Sequence, residues 1–277
     1  MNFKRTLGLL GVRLHQFLSA SMLFDKRVSG SGRVFFPGCG MAGYSPELVM
    51  NVYGFLREVY PGIGIFGSCC AKPSQAFGAG SFLERARVLT RHFSEAGVKR
   101  VITACPNCAA TLACIPNISV VPIWRVLDEH FDQLKDRLRI SGSNLPPLSL
   151  HDPCQTREDE SVQNSVRSVL RRAHVEFSEF PMAKRAMCCG KAGMLMAINP
   201  AASRKILQRC VEQSPTPNIL TYCFSCADSF RSAGRRSFHS LELLFADELV
   251  SRPRESVWRN RFRASRLIAR LGDREAK

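Results

Sequence analysis

No uninterrupted apolar run of the roughly 18 residues that a membrane-spanning helix requires occurs in this 277-residue chain. Its beginning does not read as an export signal either. Lys4 and Arg5 are present, but Arg13 and His15 break the apolar stretch and no small-residue cleavage site follows. The expected setting is therefore reducing and cytoplasmic, with attachment at the inner face of a membrane as the alternative. Acidic residues are also scarce, 23 Asp and Glu against 39 Lys and Arg, for a formal net charge of +16. The excess sits at the ends: residues 1–33 carry six basic groups against Asp25, and residues 252–277 carry nine against Glu255, Asp273 and Glu275. Such ends suit an anionic partner surface, either an acidic protein or lipid headgroups. No base-reading motif accompanies the charge, so nucleic acid is not an expected partner.

Cysteine is plentiful, at twelve residues, in a chain that is 45% apolar. A chain this apolar buries its cores without covalent staples, so the cysteines are not needed as a disulfide framework. In a reducing compartment, clustered cysteines bind metal or do redox work. Ten of the twelve belong to one pattern written twice. Cys39, the adjacent pair Cys69-Cys70, Cys105 and Cys108 form the first set; Cys154, the pair Cys188-Cys189, Cys223 and Cys226 form the second, each member 115 to 119 residues after its counterpart. That offset predicts two units of similar size.

The order of short apolar runs and helical periodicities repeats with the cysteines. In the first half, strands are expected at Val34–Phe36, Ile63–Phe66, Val98–Thr103 and Ile118–Val121, with helices opening at Ser45-Pro46, over 81–96 and from Trp124 to about Leu138. After a linker at Ser141–Pro147 come strands at Leu148–His151, Val175–Phe180 and Ile219–Thr221, with helices over 161–173 and about 200–213. This alternation indicates two α/β units with mostly parallel strands. The boundaries expected are an N-terminal segment at 1–32, units at 33–140 and 148–250, and a basic tail at 251–277. In both halves the cysteines fall just past three strand ends, the edge at which open parallel sheets gather ligands. Each quintet is therefore expected to converge.

Thiolates select zinc, copper(I) or iron–sulfur clusters over hard cations. Four already satisfy tetrahedral zinc or an ordinary cubane, so a fifth is surplus to both. The adjacent pairs need a tight turn to aim both thiols at one centre, and the small residues after them, Ala71 and Gly190, permit it.

The pattern Cys154, Cys188-Cys189-Gly190, Cys223-Phe224-Ser225-Cys226, with His151-Asp152-Pro153 before it, resembles the CCG or cysteine-rich domain of heterodisulfide reductase, in its CCG-bearing subunit, and of that subunit's relatives. Those relatives include iron–sulfur subunits of glycolate, lactate and glycerol-3-phosphate oxidation and of some succinate and fumarate reductases. The resemblance covers about residues 33–250 and implies two tandem pseudo-symmetric CCG domains. It implies that Cys39, Cys69, Cys70, Cys105 and Cys108 hold one noncubane [4Fe-4S] cluster and Cys154, Cys188, Cys189, Cys223 and Cys226 another, with zinc as the alternative at one or both. It further implies electron transfer with disulfide reduction, or a relay role beside a flavin-linked 2-hydroxyacid dehydrogenase or a quinone-reducing complex. A zinc-holding scaffold is the non-redox alternative. The first motif departs from the pattern, reading Cys-Cys-Ala. No ferredoxin-type C-x2-C-x2-C-x3-C-P run is present, so electrons are expected from another redox subunit, a ferredoxin-type iron–sulfur protein or a flavoprotein. Peripheral attachment to a membrane complex is a further implied association.

Other residues have plainer expectations. Phe3, Leu7, Leu10, Leu14 and Phe17 form a helical stripe, read first as the face that packs on its own domain and second as a docking face for a partner or membrane. Cys114 and Cys210 fall at apolar positions and are expected in the core. Lys72 and Lys191 read as solvated loop lysines or as counter-charges to a cluster; His151 as strand-end packing or a proton source; His239, Glu242 and Trp124 as structural. Arg259, Arg261, Arg263, Arg266 and Arg270, interleaved with Trp258, Phe262 and Leu267, read as a basic amphipathic helix.

Overall fold

The computed structural model of the chain describes residues 3–22, 26–27, 31–138, 145–249 and 256–275. Residues 1–2, 23–25 and 28–30 of the expected N-terminal segment, Ser141–Asn144 of the expected linker, and residues 251–255, 276 and 277 of the expected tail lie outside them. The chain forms two compact units, one of residues 1–121 with 253–277 and one of residues 122–252.

The first unit contains α1 (Phe3–Met22), β1 (Lys26–Arg27), β2 (Arg33–Phe36), α2 (Gly38–Tyr44), α3 (Pro46–Val59), β3 (Gly64–Phe66), α4 (Ala79–Glu95), β4 (Arg100–Thr103), α5 (Pro106–Leu112) and β5 (Ser119–Pro122). Its sheet runs β1-β3-β2-β4-β5, with β3, β2 and β4 parallel and β1 antiparallel at the edge. The second contains α6 (Ile123–Glu129), α7 (Phe131–Lys135), β6 (Leu148–His151), α8 (Glu160–Arg172), β7 (Ser178–Glu179), α9 (Leu195–Ile198), α10 (Pro200–Glu212), β8 (Asn218–Thr221), α11 (Phe224–Ser232), β9 (Arg236–His239) and α12 (Ser240–Phe245). Its four strands run β7-β6-β8-β9, all parallel. The order β3-β2-β4-β5 is thus repeated as β7-β6-β8-β9, and the fold is two tandem α/β units, as the spacing predicts. The closing helix α13 (Val257–Glu275) belongs to the first unit.

Strands buried on both faces read as continuous apolar runs, and the central strands do so here. Val34, Phe35 and Phe36 of β2 and Leu148 and Leu150 of β6 are fully or almost fully buried. Around β2 the rings of Phe36, Phe66 and Phe93 pack together, Phe66 and Phe93 with centroids 4.7 Å apart. Helix starts follow local chemistry. Ser45 Oγ accepts from the Leu48 N–H at 3.2 Å with Pro46 in the first turn, and Asp159 and Asn199 cap α8 and α10 in the same way. At α12 the His239 imidazole accepts from Leu241 N–H while Glu242 accepts from His239 N–H, a reciprocal cap that gives both residues the structural role expected. The helix expected over 124–138 is instead broken at His130 into α6 and α7, for which the packing offers no single cause.

The second unit carries a buried polar network centred on Arg167. Arg167, on α8, is gripped by both oxygens of Asp152, at 3.0 and 2.6 Å, and by Glu179 at 2.8 and 2.7 Å. Tyr222 donates to Asp152 at 2.6 Å and meets Thr156 at 2.8 Å. Burial pushes the Tyr222 hydroxyl well above its ordinary value, and neighbouring Asp152 adds to this. Removing one partner of a buried ion pair leaves the other uncompensated. Arg167→Met should therefore lower the unfolding free energy by about 3–5 kcal/mol and Tyr222→Phe by about 1–2 kcal/mol, both measurable by urea denaturation.

Candidate functional site

In each unit three strands deliver the cysteines to one edge. Cys39 follows β2 in the first turn of α2, Cys69-Cys70 follow β3, and Cys105 caps α5 with Cys108 in its first turn. Cys154 follows β6, Cys188-Cys189 lie in the loop after β7, and Cys223 caps α11 with Cys226 in its first turn. Each C-x-x-C pair thus opens a helix, yet the second thiol of each resists ionisation: hydrogen bonds with Cys105 and Cys70, with burial adding, raise Cys108 well above its ordinary value, and Cys189, Cys223 and burial do the same to Cys226.

The quintets converge. Cys39 Sγ lies 3.9 Å from Cys69 Sγ, Cys69 is the charge neighbour of Cys70, and Cys108 is hydrogen-bonded to both Cys70 and Cys105. In the second unit the contacts run from Cys154 to Cys188, to Cys189, to Cys226, to Cys223. Five thiols are thus linked in the same order in both halves. None of the twelve cysteines is in a disulfide. Among the described residues no group of three or more His, Cys, Asp or Glu is spaced to hold a single metal ion. The donor set itself, five soft ligands largely shielded from water, fits a thiolate-ligated metal centre.

The turn after each pair is what lets neighbouring cysteines face one side. Ala71 and Gly190 both have left-handed backbone, with φ of +66° and +84°. A Cβ on Gly190 would stand 2.5 Å from Ser203 O, whereas Ala71 carries its methyl in a conformation that glycine adopts without strain. The departure from Cys-Cys-Gly thus leaves the turn unchanged. Gly38 serves a different need, since a Cβ there would meet Cys108 Sγ at 2.8 Å.

The surroundings of the two sites differ. At the first, α1 and α13 cover Cys39. Arg261, buried on α13, donates from Nε to Cys39 O at 3.0 Å and from a terminal nitrogen to Ser19 Oγ at 2.7 Å, with another 3.3 Å from His15 Nε2. Gln16 donates to Ser74 Oγ at 2.6 Å and to Ala71 O at 3.4 Å. The Cys39 thiol is held well below its ordinary value, chiefly by the hydrogen bond with Cys69, with His15 and Arg261 adding against the opposing effect of burial. The segment expected as a tail is therefore part of this site's wall. At the second site, Ser229 donates to Cys189 O at 2.7 Å and Ser203 to Gly190 O at 2.8 Å. Hydrogen bonds with Cys154 and Cys189, with Gly190 and Ala192 N–H helping, bring the Cys188 thiol down to about 2. The Cys154 thiol goes the other way, raised by its bond to Cys188.

Several single-residue expectations are settled by these contacts. Lys191 is ion-paired with Asp228. His151 is buried at the strand end, edge-on to Phe180 and Phe230, with Nε2 2.8 Å from Met187 O; burial lowers its pKa. Cys210 is buried as expected, and desolvation with nearby Cys189 and Cys188 pushes it up to about 12. Cys114 is a correction: it is exposed near the end of α5, because the buried side of that short helix is taken by Cys108, Thr111 and Leu112. Asp152, Arg167, Tyr222, His15, Gln16 and Arg261 support the two sites without any of them standing out as site residues in the sequence. For Asp152 alone a signal exists, in the His-Asp-Pro-Cys flank.

Fold and site together define a duplicated α/β protein with a five-thiol array at the strand ends of each unit. The profile of the cysteine-rich domain family, CCG, matches residues 34–113 and 148–231, and the chain belongs to that family. No curated protein sequence matches it. Solved structures similar to it include an aspartate racemase from Picrophilus torridus, 9% identical over 83% of this chain and 98% of that one, with a TM-score of 0.34. An aspartate racemase homologue from Pyrococcus horikoshii OT3 is 12% identical over 77% and 95%, with a TM-score of 0.29. A glutamate racemase from Aquifex pyrophilus is 14% identical over 76% and 79%, with a TM-score of 0.32. Likenesses this remote carry no argument.

Gly190→Ala should destabilise the second unit by about 2 kcal/mol, whereas Ala71→Gly should be neutral or stabilising by about 0.5–1 kcal/mol, both read from urea midpoints. In reduced, metal-free protein at neutral pH, Cys188 should be alkylated by iodoacetamide about tenfold faster than Cys154, although both are half-exposed. A mass-spectrometric time course of the two peptides checks this, and equal rates would mean that exposure rather than ionisation governs them.

Proposed function

We propose that the chain is an iron–sulfur oxidoreductase subunit resembling the CCG-bearing subunit of heterodisulfide reductase, with a noncubane [4Fe-4S] cluster in each half and reduction of a disulfide at one of them. The observation that carries this reading is the twice-built chain of five thiols outside any disulfide, one more per site than a single tetrahedral ion or a cubane uses. Cys39, Cys69, Cys70, Cys105 and Cys108 would hold one cluster and Cys154, Cys188, Cys189, Cys223 and Cys226 the other. Bound there, a cluster supplies single electrons at a potential tuned by hydrogen bonds to sulfur and by burial.

The second half is the better candidate for meeting substrate. Cys154 and Cys188 are both half-exposed there, while Cys39 is the single half-exposed member of the first quintet and lies under Arg261. Gly190 and Ala192 N–H groups hold negative charge at Cys188, and the Lys191–Asp228 pair ties the loop to α11. Reduction of a disulfide takes two electrons and two protons and releases two thiols. The electrons come one at a time from a partner, a ferredoxin-type iron–sulfur protein or a flavoprotein, since the chain has no ferredoxin-type ligand run. This reading puts the chain on the cytoplasmic side, at the periphery of a membrane complex.

The test is anaerobic purification followed by metal and sulfide analysis and electron paramagnetic resonance. About eight iron and eight acid-labile sulfide per chain are expected; zinc without sulfide overturns the redox reading in favour of a scaffold. With an artificial one-electron donor, disulfide reductase activity should appear and be lost in Cys188→Ser. Inactivity with both clusters intact would transfer the role to relay within a flavin-linked 2-hydroxyacid or quinone-reducing system.

A further inference from the structure

The N-terminal helix is amphipathic in the opposite sense from a packed helix. Leu10, Leu14 and Phe17, spaced by four and three residues on one face of α1, are 55%, 60% and 68% exposed. Its buried face is built from Val12, Gln16 and Ser19, with His15 beside them, and its polar side chains serve the first cysteine site. For these three the expectation that the apolar stripe packs on its own domain is reversed, while the side chains of Phe3 and Leu7 lie outside the described residues. Leu10, Leu14 and Phe17 together give α1 an apolar outer face.

Charge tells what covers it. The helix sequence from Phe3 to Met22 contains Lys4, Arg5 and Arg13 and no acidic residue. The neighbouring α13, which packs on α1, adds exposed Phe262 with Arg266 stacked over its ring at 4.3 Å, and exposed Arg259 and Arg270. Aromatic and aliphatic groups beside arginines are the composition of a helix that lies in a lipid–water interface. Among the described residues no helix is long and apolar enough to cross a membrane, which fits a helix lying flat. A second copy is a poor occupant, because pairing would bring together two chains of net charge +16.

We propose that the Leu10, Leu14 and Phe17 face of α1, with the arginines and Phe262 of α13, docks this chain on an anionic lipid surface. The proposal rests on the peripheral placement above but not on the cluster chemistry. It makes the two terminal helices bifunctional: their inner faces hold Cys39 and the Ala71 turn, and their outer faces hold the bilayer.

Flotation of the full chain with vesicles tests this. Protein should float with phosphatidylcholine vesicles containing phosphatidylglycerol and stay behind with phosphatidylcholine alone, and high salt should weaken the binding. Leu14→Glu with Phe17→Glu should lower the bound fraction about tenfold, and so should Leu14→Ala with Phe17→Ala, which guards against a folding defect. Arg259→Gln with Arg266→Gln should lower it severalfold and flatten the salt dependence. The proposal is overturned if the unaltered chain ignores anionic vesicles or if the α1 variants bind as well as it does. It is equally overturned if sedimentation shows a dimer that the α1 variants split, since the face would then belong to a second copy. Iron and sulfide are counted on the same preparation, so a chain that floats without iron sinks the redox reading alone.

Discussion

Parallel pairing is the constraint on which the two sites depend. When β2 runs beside β3 and β4 in the same direction, and β6 beside β7 and β8, the carboxyl ends of all three strands emerge on one side of the sheet. Residues separated by about seventy positions in sequence then meet within side-chain reach without any covalent link. Gathering them still has a cost, because thiols drawn out of water resist ionisation. The chain offsets part of it locally, with N–H groups of Gly190 and Ala192 at Cys188 and of Ala71 at Cys69.

The duplicated framework is stabilised by two different solutions. Phe36 and His151 are the last residues of the central strands, paired with Thr103 and Thr221 in the same register. Phe36 sits among the rings of Phe66 and Phe93, an apolar plug, and the first site takes its polar support from outside the repeat, through His15, Gln16 and Arg261. His151 sits between Phe180 and Phe230, and behind it Asp152, Arg167, Glu179 and Tyr222 form the second unit's own buried network. One site is therefore held by elements near the chain ends and the other by its own fold. Loss of α13 would be expected to loosen the first quintet while leaving the second intact.

This division also explains what is legible in the sequence. The strands β2 to β8, with β7 shorter than expected, and the capped helices α3, α8 and α10 follow from period and spacing, because those features are written in neighbouring residues, whereas the edge strands β1 and β9 do not show. The short helices α2, α5 and α11 do not show, since each has a cysteine in its first turn and spans only two turns or so, too brief for a hydrophobic period to stand out. Arg167 and Tyr222 are hidden for another reason. Their role lies in a partner 15 or 70 residues away, which no local pattern carries. Cys114 misleads because it lies two residues past the end of α5, beyond the helix whose apolar side would have buried it.

The α1 stripe shows the same limit from the other side. Periodicity correctly gives a helix and a face, but it cannot say which face turns inward when the polar side also has work to do. Here Gln16, Ser19 and His15 find buried partners at the first site, among them Ser74 and Arg261. Polar groups that are satisfied in this way can line an interior at little net cost, whereas turning Leu10, Leu14 and Phe17 inward would leave the Arg261 guanidinium and the Ala71 turn without those contacts. The apolar face is left outside as the consequence of that choice, and a helix so oriented favours whatever surface can take three large hydrophobic side chains beside a field of positive charge.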